Sequence, residues 1–393
     1  MPINTDAKKI ESLLSRGVEE VIDKKNLLEK LKSGKKLRIK LGIDPTSPNI
    51  HLGRSIPLLK LKDFQELGHQ IVLIIGDFTG TIGDTSDKES ERPMLTPETI
   101  KENLKNYIEQ AGKIIDIKKS EIHYNSKWLS KLKYTDIGQQ ANQFSLNEFI
   151  SRENIRKRLD AGKRIVLREL LYPLMQAYDS VEIKADVELG GTDQRFNILA
   201  GRTLQKAYKQ KPQDIITNPL IEGLDGRKMS SSWGNTVNLF DLPNDMFGKL
   251  MSLKDEFIIR YFVLLTRFSM DKISIFEQEM KNGANPRDYK LQLAFEIVKF
   301  YHSEKEATKA QEYFIKTISN KETPDNMPEF KAKNYNVIAI LTESGAVKSK
   351  SEGRRVISQN GVKVNKEVIN DLDFKLKKND VLQKGKTFFL RIK

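Results

Sequence analysis

Strand-like and helix-like segments alternate along the first half of the chain, and this alternation restricts the possible folds more than any other feature. Arg38–Ile43 is a strand candidate, and Leu52–Leu67 carries apolar residues at nearly helical spacing. Ile71–Ile75 is a continuous apolar run, typical of a strand buried on both faces. Weaker strand candidates follow at Ile183–Val187 and Ile215–Ile216. The alternation predicts an α/β fold with a doubly wound parallel sheet.

The pattern changes after residue 242. Residues 243–320 have helical patterning without a convincing strand, and 321–332 form a polar linker that contains Pro324. The remaining residues, 333–393, form a short and basic segment. We therefore predict an α/β domain over 1–242, an α-helical domain, a linker and a small terminal α+β domain.

The charge of the chain indicates an anionic partner. The net charge is +14, and the segment Phe330–Lys393 alone carries +9 of it. A basic terminal domain of this kind favours nucleic acid. The alternative is a general lysine bias of the proteome, without a binding role.

Composition excludes several classes of protein. Cysteine is absent, which removes disulfides, thiol catalysis and cysteine-based zinc sites, and only four histidines are present, so we expect no metal site. No apolar run is long enough to cross a bilayer, and the first residues lack the apolar core of a secretory signal. We expect a cytoplasmic protein without membrane association.

Two short motifs far apart in the sequence carry groups suited to phosphate chemistry. Pro48–Arg54 follows the first strand and contains His51 and Gly53, at a junction where helix N-terminal amides favour phosphate. Gly226–Ser232 is a polar loop that contains Lys228. Together, in this order, the two motifs resemble the ATP-handling motifs of class I aminoacyl-tRNA synthetases. For His51 alone, a structural histidine near a helix start is an equal alternative. For Lys228 alone, a solvated loop lysine is the simpler interpretation.

A third polar segment, Gly80–Arg92, supports this interpretation. It follows the strand at Ile71–Ile75 and contains Lys88 and Arg92. These two cations suit a mobile clamp on a polyphosphate. Without the other motifs, a solvated loop would be the simpler interpretation.

Further motifs make the resemblance specific. They are Asp44–Thr46, Ile82–Asp84, Ser90–Arg92, Tyr172–Asp179 and Gly190–Gln194. With them the chain resembles bacterial-type tyrosyl-tRNA synthetases over almost its full length. The segments Ser351–Arg355 and Gly361–Asn365 resemble the S4 RNA-binding module of those enzymes. The resemblance implies a Rossmann-like catalytic domain and the joining of L-tyrosine to tRNA(Tyr) through tyrosyl-adenylate.

The resemblance also implies a tyrosine site. Tyr172, Gln176 and Asp179 fall at i, i+4 and i+7, on one face of a helix. By analogy Tyr172 and Gln176, together with Asp84, hold the ammonium of tyrosine. Asp179 accepts the phenolic hydrogen, and Gln194 lies near the carboxylate. Phenylalanine would leave the buried carboxylate without its partner, at a cost in free energy.

ATP, accompanied by Mg²⁺ on its phosphates, is the second implied substrate, and no tightly bound cofactor is expected. Gly191 and Asp193 would hold the ribose. The catalytic groups implied are His51, Lys228, Lys88 and Arg92. The whole implied ATP site consists of Gly42, Asp44, Thr46, His51, Gly53, Arg54, Gly191, Asp193, Lys228, Met229, Ser230 and Ser231.

Three residues depart from the commonest pattern of the family. Lys40 stands where many relatives have a tyrosine that contacts the phenol, so Lys40 either approaches the tyrosine and pairs with Asp179 or does not. Arg54 replaces the last histidine of the first motif, and Ser231 replaces the second lysine of the loop. The loss of that lysine leaves fewer cations to face pyrophosphate.

RNA binding and dimer formation are also implied by the resemblance. The best candidates for contacts with RNA phosphates are Lys348, Lys350, Arg354 and Arg355; a solvated basic surface is the alternative. A segment near residues 134–164 would form a homodimer. Two other functions stay open: a related enzyme that charges tryptophan, and an RNA-binding protein that has lost catalysis.

Overall fold

The computed structural model describes residues 2–86, 94–319, 327–332, 334–385 and 388–393. Its chain divides into two compact units. The first contains Met1–Leu242 and Lys249–Tyr301, and the second contains Pro243–Gly248 and His302–Lys393. The predicted helical domain 243–320 is therefore shared between the units, most of it packing with the α/β part.

The strands of the first unit form one sheet. They are β1 (Glu20–Ile22), β2 (Arg38–Ile43), β3 (Gln70–Ile75), β4 (Glu121–Tyr124), β5 (Val187–Gly191) and β6 (Asp214–Asn218). Among the described residues their order is β1-β6-β5-β2-β3-β4, and only the β1–β6 pair is antiparallel. From β2 the chain continues to β3 on one side, whereas β5 lies on the other. Ligands of doubly wound sheets bind where the strand order reverses in this way.

Helices connect these strands and continue through the chain. The α-helices are α1 (Ala7–Ser15), α2 (Lys24–Lys32), α3 (Leu52–Glu66), α4 (Thr79–Ile82), α5 (Pro97–Leu104), α6 (Tyr107–Gly112), α7 (Ser126–Leu129), α8 (Tyr134–Ala141), α9 (Leu146–Ile150), α10 (Glu153–Asp160), α11 (Leu167–Glu182), α12 (Arg195–Ala207), α13 (Pro243–Met251), α14 (Ile258–Leu265), α15 (Met270–Lys281), α16 (Pro286–Tyr301), α17 (Glu304–Phe314), α18 (Val337–Glu343) and α19 (Lys350–Ser358). Short 3₁₀ turns lie at Ile117–Lys119, Thr192–Gln194, Ser231–Trp233 and Asp255–Phe257, and a π-turn at Ile315–Ser319.

The predicted β–α–β start of the fold is confirmed. β2, α3 and β3 occupy the predicted segments within a residue or two, and residues 71–75 of β3 are all buried. The predicted strand Ile183–Val187 is wrong. Ile183 instead caps the C-terminus of α11, and Lys184 adopts a positive φ of 50° that interrupts an extended chain, so β5 starts only at Val187.

The second unit contains the basic terminal segment. Its strands are β7 (Glu329–Phe330), β8 (Val362–Val364), β9 (Glu367–Val368), β10 (Val381–Lys384) and β11 (Phe388–Ile392). They follow the order β7-β11-β10-β8-β9 within the described residues. Side chains of α18 and α19, including Ile340 and Ile357, share one apolar core with Leu382 and Leu390 of the sheet. The predicted α+β character is confirmed.

Within the described ranges, no helix combines the length and the apolarity needed to cross a bilayer. The longest, α11 and α16, have sixteen residues each.

Candidate active site

A cavity opens at the carboxyl ends of β2 and β5, where the strand order reverses. All twelve residues of the predicted ATP set line it: Gly42, Asp44, Thr46, His51, Gly53, Arg54, Gly191, Asp193, Lys228, Met229, Ser230 and Ser231. Three residues of the predicted tyrosine set line the same cavity: Asp84, Tyr172 and Gln194. Both predicted sets therefore meet in one place, although the site residues come from segments almost 190 positions apart.

His51 is the N-cap of α3, and its ring is buried. The ring Nδ1 accepts a hydrogen bond from the backbone N–H of Arg54 at 3.4 Å, so the proton lies on Nε2. Burial lowers the pKa of His51 to about 3, and the cations Arg54 and Lys228 act in the same direction. A Cβ on Gly53 would lie 3.1 Å from Nδ1, which explains the glycine. The site thus holds a neutral imidazole with a single N–H donor.

Arg54 braces the loop after β2. Its guanidinium donates to the hydroxyl of Tyr107 at 2.6 Å, to Thr46 Oγ1 at 2.8 Å and to the carbonyl oxygen of Asp44 at 3.3 Å. Three groups from two segments are therefore held by one planar cation. This bracing is a structural role that the sequence motif alone did not reveal.

Lys228 lines the same cavity as His51 and pairs with Asp193. The ammonium is 2.9 Å from the Asp193 carboxylate. Gly191 precedes that carboxylate, and a Cβ there would lie 2.5 Å from Asp193 Oδ1. In this conformation the predicted phosphate-binding cation and the predicted ribose-binding acid are therefore bound to each other.

Asn235 organises the loop that carries Lys228. Its Oδ1 accepts from the N–H of Ser230 at 2.9 Å, and its Nδ2 donates to Asp225 at 2.7 Å and to the carbonyl oxygen of Lys228 at 3.1 Å. The buried Met229 packs in the same loop, and its sulfur accepts from the N–H of Gly53 at 3.3 Å. One amide side chain thereby fixes three points of the loop.

The part of the cavity lined by Asp84, Tyr172 and Gln194 contains several polar contacts. Gln194 donates to the Asp84 carboxylate at 2.6 Å, and Ser86 donates to it through both its N–H and its hydroxyl. The Tyr172 hydroxyl donates to Asp44 Oδ2 at 2.8 Å. Asp84 and Asp44 thus place two carboxylates close to Tyr172, and such a site suits a cationic group.

A chain of hydrogen bonds leads from Asp44 into the interior. Thr79 donates to Asp44 at 2.7 Å, Asn125 donates to Thr79 at 2.9 Å and to Asp179 at 3.2 Å, and Trp128 Nε1 donates to Asp179 at 2.7 Å. Burial raises the pKa of Asp44 to about 6 and that of Asp179 to about 7. Each oxygen of Asp179 accepts one of these hydrogen bonds and has a second lone pair for another donor.

Lys40 pairs with Glu188 and not with Asp179. The Lys40 ammonium lies 2.9 Å from Glu188 Oε1, and both side chains are almost completely buried. It also donates to Ser180 Oγ at 2.6 Å and to the carbonyl oxygen of Gln176 at 2.8 Å. These contacts use all three N–H donors of the ammonium.

Some predicted site residues lie away from the cavity wall. Gln176, Asp179 and Lys40 are not among the lining residues. Asp179 on α11 and Lys40 on β2 are buried, whereas Gln176 on α11 is half-buried. Lys88 and Arg92 fall outside the described residues, so their predicted roles stay predictions. Across the described ranges, no three His, Cys, Asp or Glu side chains form a group that could hold a metal ion.

Some residues that support the site were not predicted from the sequence. Asn125 and Trp128 gave no local signal, because each donates to Asp179 from another segment. Asn235 lies five to ten residues from its partners, in a loop without a periodic pattern. Glu188 and Lys40 did give a local signal in the sequence. Each is a charged residue inside an apolar strand, β5 and β2, and buried charges require partners. Each such charge predicts a buried partner, but which partner it meets depends on which strands become adjacent.

The predicted RNA-binding residues lie in the second unit. Lys350, Arg354 and Arg355 are exposed on α19, and the exposed Lys348 precedes this helix. The opposite side of α19 carries Ile357, which is buried in the core of the unit. All four cations therefore face solvent.

The chain was compared with known proteins. Residues 32–319 match the family of class I tRNA synthetases for tryptophan and tyrosine, and residues 338–382 match the S4 domain. The chain is 47% identical to a tyrosine–tRNA ligase of Thermotoga maritima, over 97% of this chain and 96% of that protein. It is 46% identical to one of Carboxydothermus hydrogenoformans, over 100% and 99% of the two chains.

Similarity to solved structures concerns the fold. The model resembles the crystal structure of a tyrosyl-tRNA synthetase from Archaeoglobus fulgidus complexed with L-tyrosine, with a TM-score of 0.63 and 24% identity. The similarity covers 78% of this chain and 100% of that chain. The arrangement of sheet and helices is thus one that occurs in a solved synthetase.

Proposed function

The chain belongs to the class I tRNA synthetase family of the tryptophan and tyrosine enzymes, and from this membership we infer that it is a tyrosine–tRNA ligase. The observation that carries the inference is the 43–47% identity to tyrosine–tRNA ligases over nearly the whole chain. In the first step a carboxylate oxygen of tyrosine attacks the α-phosphorus of ATP, and the bond to the pyrophosphate breaks. In the second step a hydroxyl at the 3′ end of tRNA attacks the tyrosyl carbonyl of the adenylate. The bond to the phosphate breaks, AMP leaves and the hydroxyl proton is released.

Exchange of labelled pyrophosphate into ATP tests the function directly. Purified protein is expected to catalyse this exchange with tyrosine and not with tryptophan. Exchange that depends on tryptophan would favour the related specificity. Absence of any exchange, with retained binding of structured RNA, would favour a protein that has lost catalysis.

The first step needs stabilisation of charge more than proton transfer, because the attacking carboxylate is already ionised. The Nε2–H of His51 and the ammonium of Lys228 are donors suited to phosphate oxygens. Lys228 is bound to Asp193, the proposed ribose ligand. Entry of ATP therefore exchanges this ion pair for contacts with ribose and phosphate. Mg²⁺ enters on the phosphates as part of the substrate.

The proposed tyrosine site extends along α11. Tyr172 lies at the cavity, with the carboxylate of Asp84 close to it, where the ammonium would bind. Asp179 lies seven residues further along α11, about 10 Å at 1.5 Å per residue. A long substrate with an ammonium at one end and a phenol at the other suits this spacing.

A homodimer is supported by exposed apolar side chains near the predicted segment 134–164. Tyr134 is 94% exposed, Leu146 is 64% exposed and Leu167 is 79% exposed. Exposed apolar groups that form a contiguous patch mark sites of protein association. Sedimentation equilibrium tests this; a monomer at micromolar concentration would contradict it.

A cytoplasmic location is proposed from the need for ATP and tRNA, and cell fractionation tests it.

Removal of the exposed cations of the second unit should weaken charging of tRNA without affecting adenylate formation. The variant changes Lys348, Lys350, Arg354 and Arg355 to Gln. We expect a higher KM for tRNA and a smaller salt dependence, by roughly 1 in the logarithmic slope for each lost phosphate contact. Pyrophosphate exchange should stay unchanged, because the first unit contains its site.

A matched control removes the same number of charges elsewhere. It changes four exposed lysines of the first unit to Gln: Lys8, Lys9, Lys24 and Lys25. This variant should keep the KM and the salt slope of the wild type. Equal effects of both variants would show that only the net charge of the chain matters.

A further inference from the structure

A buried ion pair lies beneath the proposed tyrosine site. Lys40 and Glu188 stand directly opposite each other on the adjacent strands β2 and β5. Their side chains are 0% and 1% exposed, so the pair has no contact with solvent. All three donors of Lys40 are used within the protein, as described above. Lys40 therefore has no N–H left for a substrate in this conformation.

Glu188 binds Gln176, one of the side chains that are proposed to contact tyrosine. Its Oε1 accepts from Gln176 Nε2 at 3.1 Å. Its Oε2 accepts from Ser180 Oγ at 2.9 Å and also from Gln213. A Cβ on Gly201 would lie 2.5 Å from the Gln213 amide, so glycine at that position leaves room for the network.

The bond to Glu188 determines which end of the Gln176 amide is available. A carboxylate only accepts hydrogen bonds, so the amide must present its NH₂ group to Glu188. Its carbonyl oxygen, Oε1, then points away, and among the described residues it has no hydrogen-bond partner. An amide held in this way offers an acceptor, which suits an ammonium ion.

We propose that Glu188, neutralised by Lys40, is a positioning residue that orients Gln176 as an acceptor for the ammonium group of tyrosine. The proposal rests on the function proposed above. The chemical reason is that an ionised carboxylate can only accept hydrogen bonds. A glutamine at position 188 could accept or donate, so the Gln176 amide could turn and present N–H groups, which repel an ammonium. Lys40 keeps the buried carboxylate from being an uncompensated charge.

Two variants separate this role from a contribution to stability. Glu188→Gln keeps the volume but leaves Lys40 without a counter-ion. The double variant Lys40→Met, Glu188→Gln removes both charges, so it has no unpaired buried ion even if the single variant folds poorly. In both, we expect the KM for tyrosine in pyrophosphate exchange to rise about tenfold, with the KM for ATP within about twofold of the wild type.

A double-mutant cycle with Gln176→Ala provides the decisive measurement. If Glu188 acts through Gln176, Glu188→Gln should have no further effect on the KM for tyrosine once Gln176 is alanine. Effects that multiply in the combined variant would overturn the proposal. So would a wild-type KM for tyrosine in the double variant Lys40→Met, Glu188→Gln.

A buried acid on the next strand is the matched control. Asp214 of β6 is fully buried and pairs with Lys30 at 2.9 Å, away from the cavity lining. Asp214→Asn should lower the melting temperature without a selective rise in the KM for tyrosine. A wild type without tyrosine-dependent exchange would refute the proposed function itself. If the wild type is active but the effects of Glu188→Gln and Gln176→Ala multiply in the combined variant, only the role of Glu188 is refuted.

Discussion

Replacement of His51 by alanine should slow the formation of tyrosyl-adenylate by about 10²- to 10³-fold and leave the dissociation constant of tyrosine nearly unchanged. The imidazole is neutral, because burial lowers its pKa to about 3, and it offers one donor from Nε2. His51 lines the cavity together with the other predicted ATP residues. Its contribution should therefore appear when charge develops on the phosphate during displacement.

Single-turnover measurements, with each substrate saturating, would give the rate of adenylate formation. His69 supplies the control, because it is also buried, its pKa is lowered by burial to about 4, and its Nδ1 also accepts a backbone N–H, from Leu37. His69 does not line the cavity. His69→Ala should lower stability and keep the rate of the folded protein. A loss of tyrosine affinity in His51→Ala as large as the loss of rate would contradict the proposed role.

Replacement of Asp179 by asparagine should remove most of the preference for tyrosine over phenylalanine. A hydrogen bond to a charged acceptor contributes about 1.5–3 kcal/mol, so kcat/KM for tyrosine should fall about 10- to 100-fold, with little change for phenylalanine. The amide also places a donor where Asp179 accepts from Asn125 and Trp128. Exchange assays with both amino acids give the ratio.

The pH dependence gives a second readout of the same residue. Burial raises the pKa of Asp179 to about 7, so the carboxyl is protonated below that pH and becomes a full acceptor above it. In the wild type, kcat/KM for tyrosine should rise as the pH increases through about 7, and Asp179→Asn should abolish this rise. Glu182→Gln, one turn later on α11 and exposed, is the control. An unchanged pH profile in Asp179→Asn would assign the titration to another group.

The local parts of the site were predictable from the sequence. The strand before His51, the helix after it and the helical face with Tyr172 and Asp179 all depend on contacts between residues close in the chain. Periodicity and glycine placement report such contacts. The same reasoning failed at Ile183–Val187, because apolar residues that end a helix resemble those of a short strand.

The remaining features depended on which distant segments become neighbours. Lys40 and Gln176 are 136 positions apart, and only the adjacency of β2 and β5 brings Glu188 to both. The sequence by itself determined the chemistry of the two motifs, the family and the alternation of strands and helices. Each of these depends on residues that lie close together in the chain. Only the tertiary structure decided that Lys40 pairs with Glu188 instead of Asp179. Strand order and burial select partners, and no local pattern encodes either.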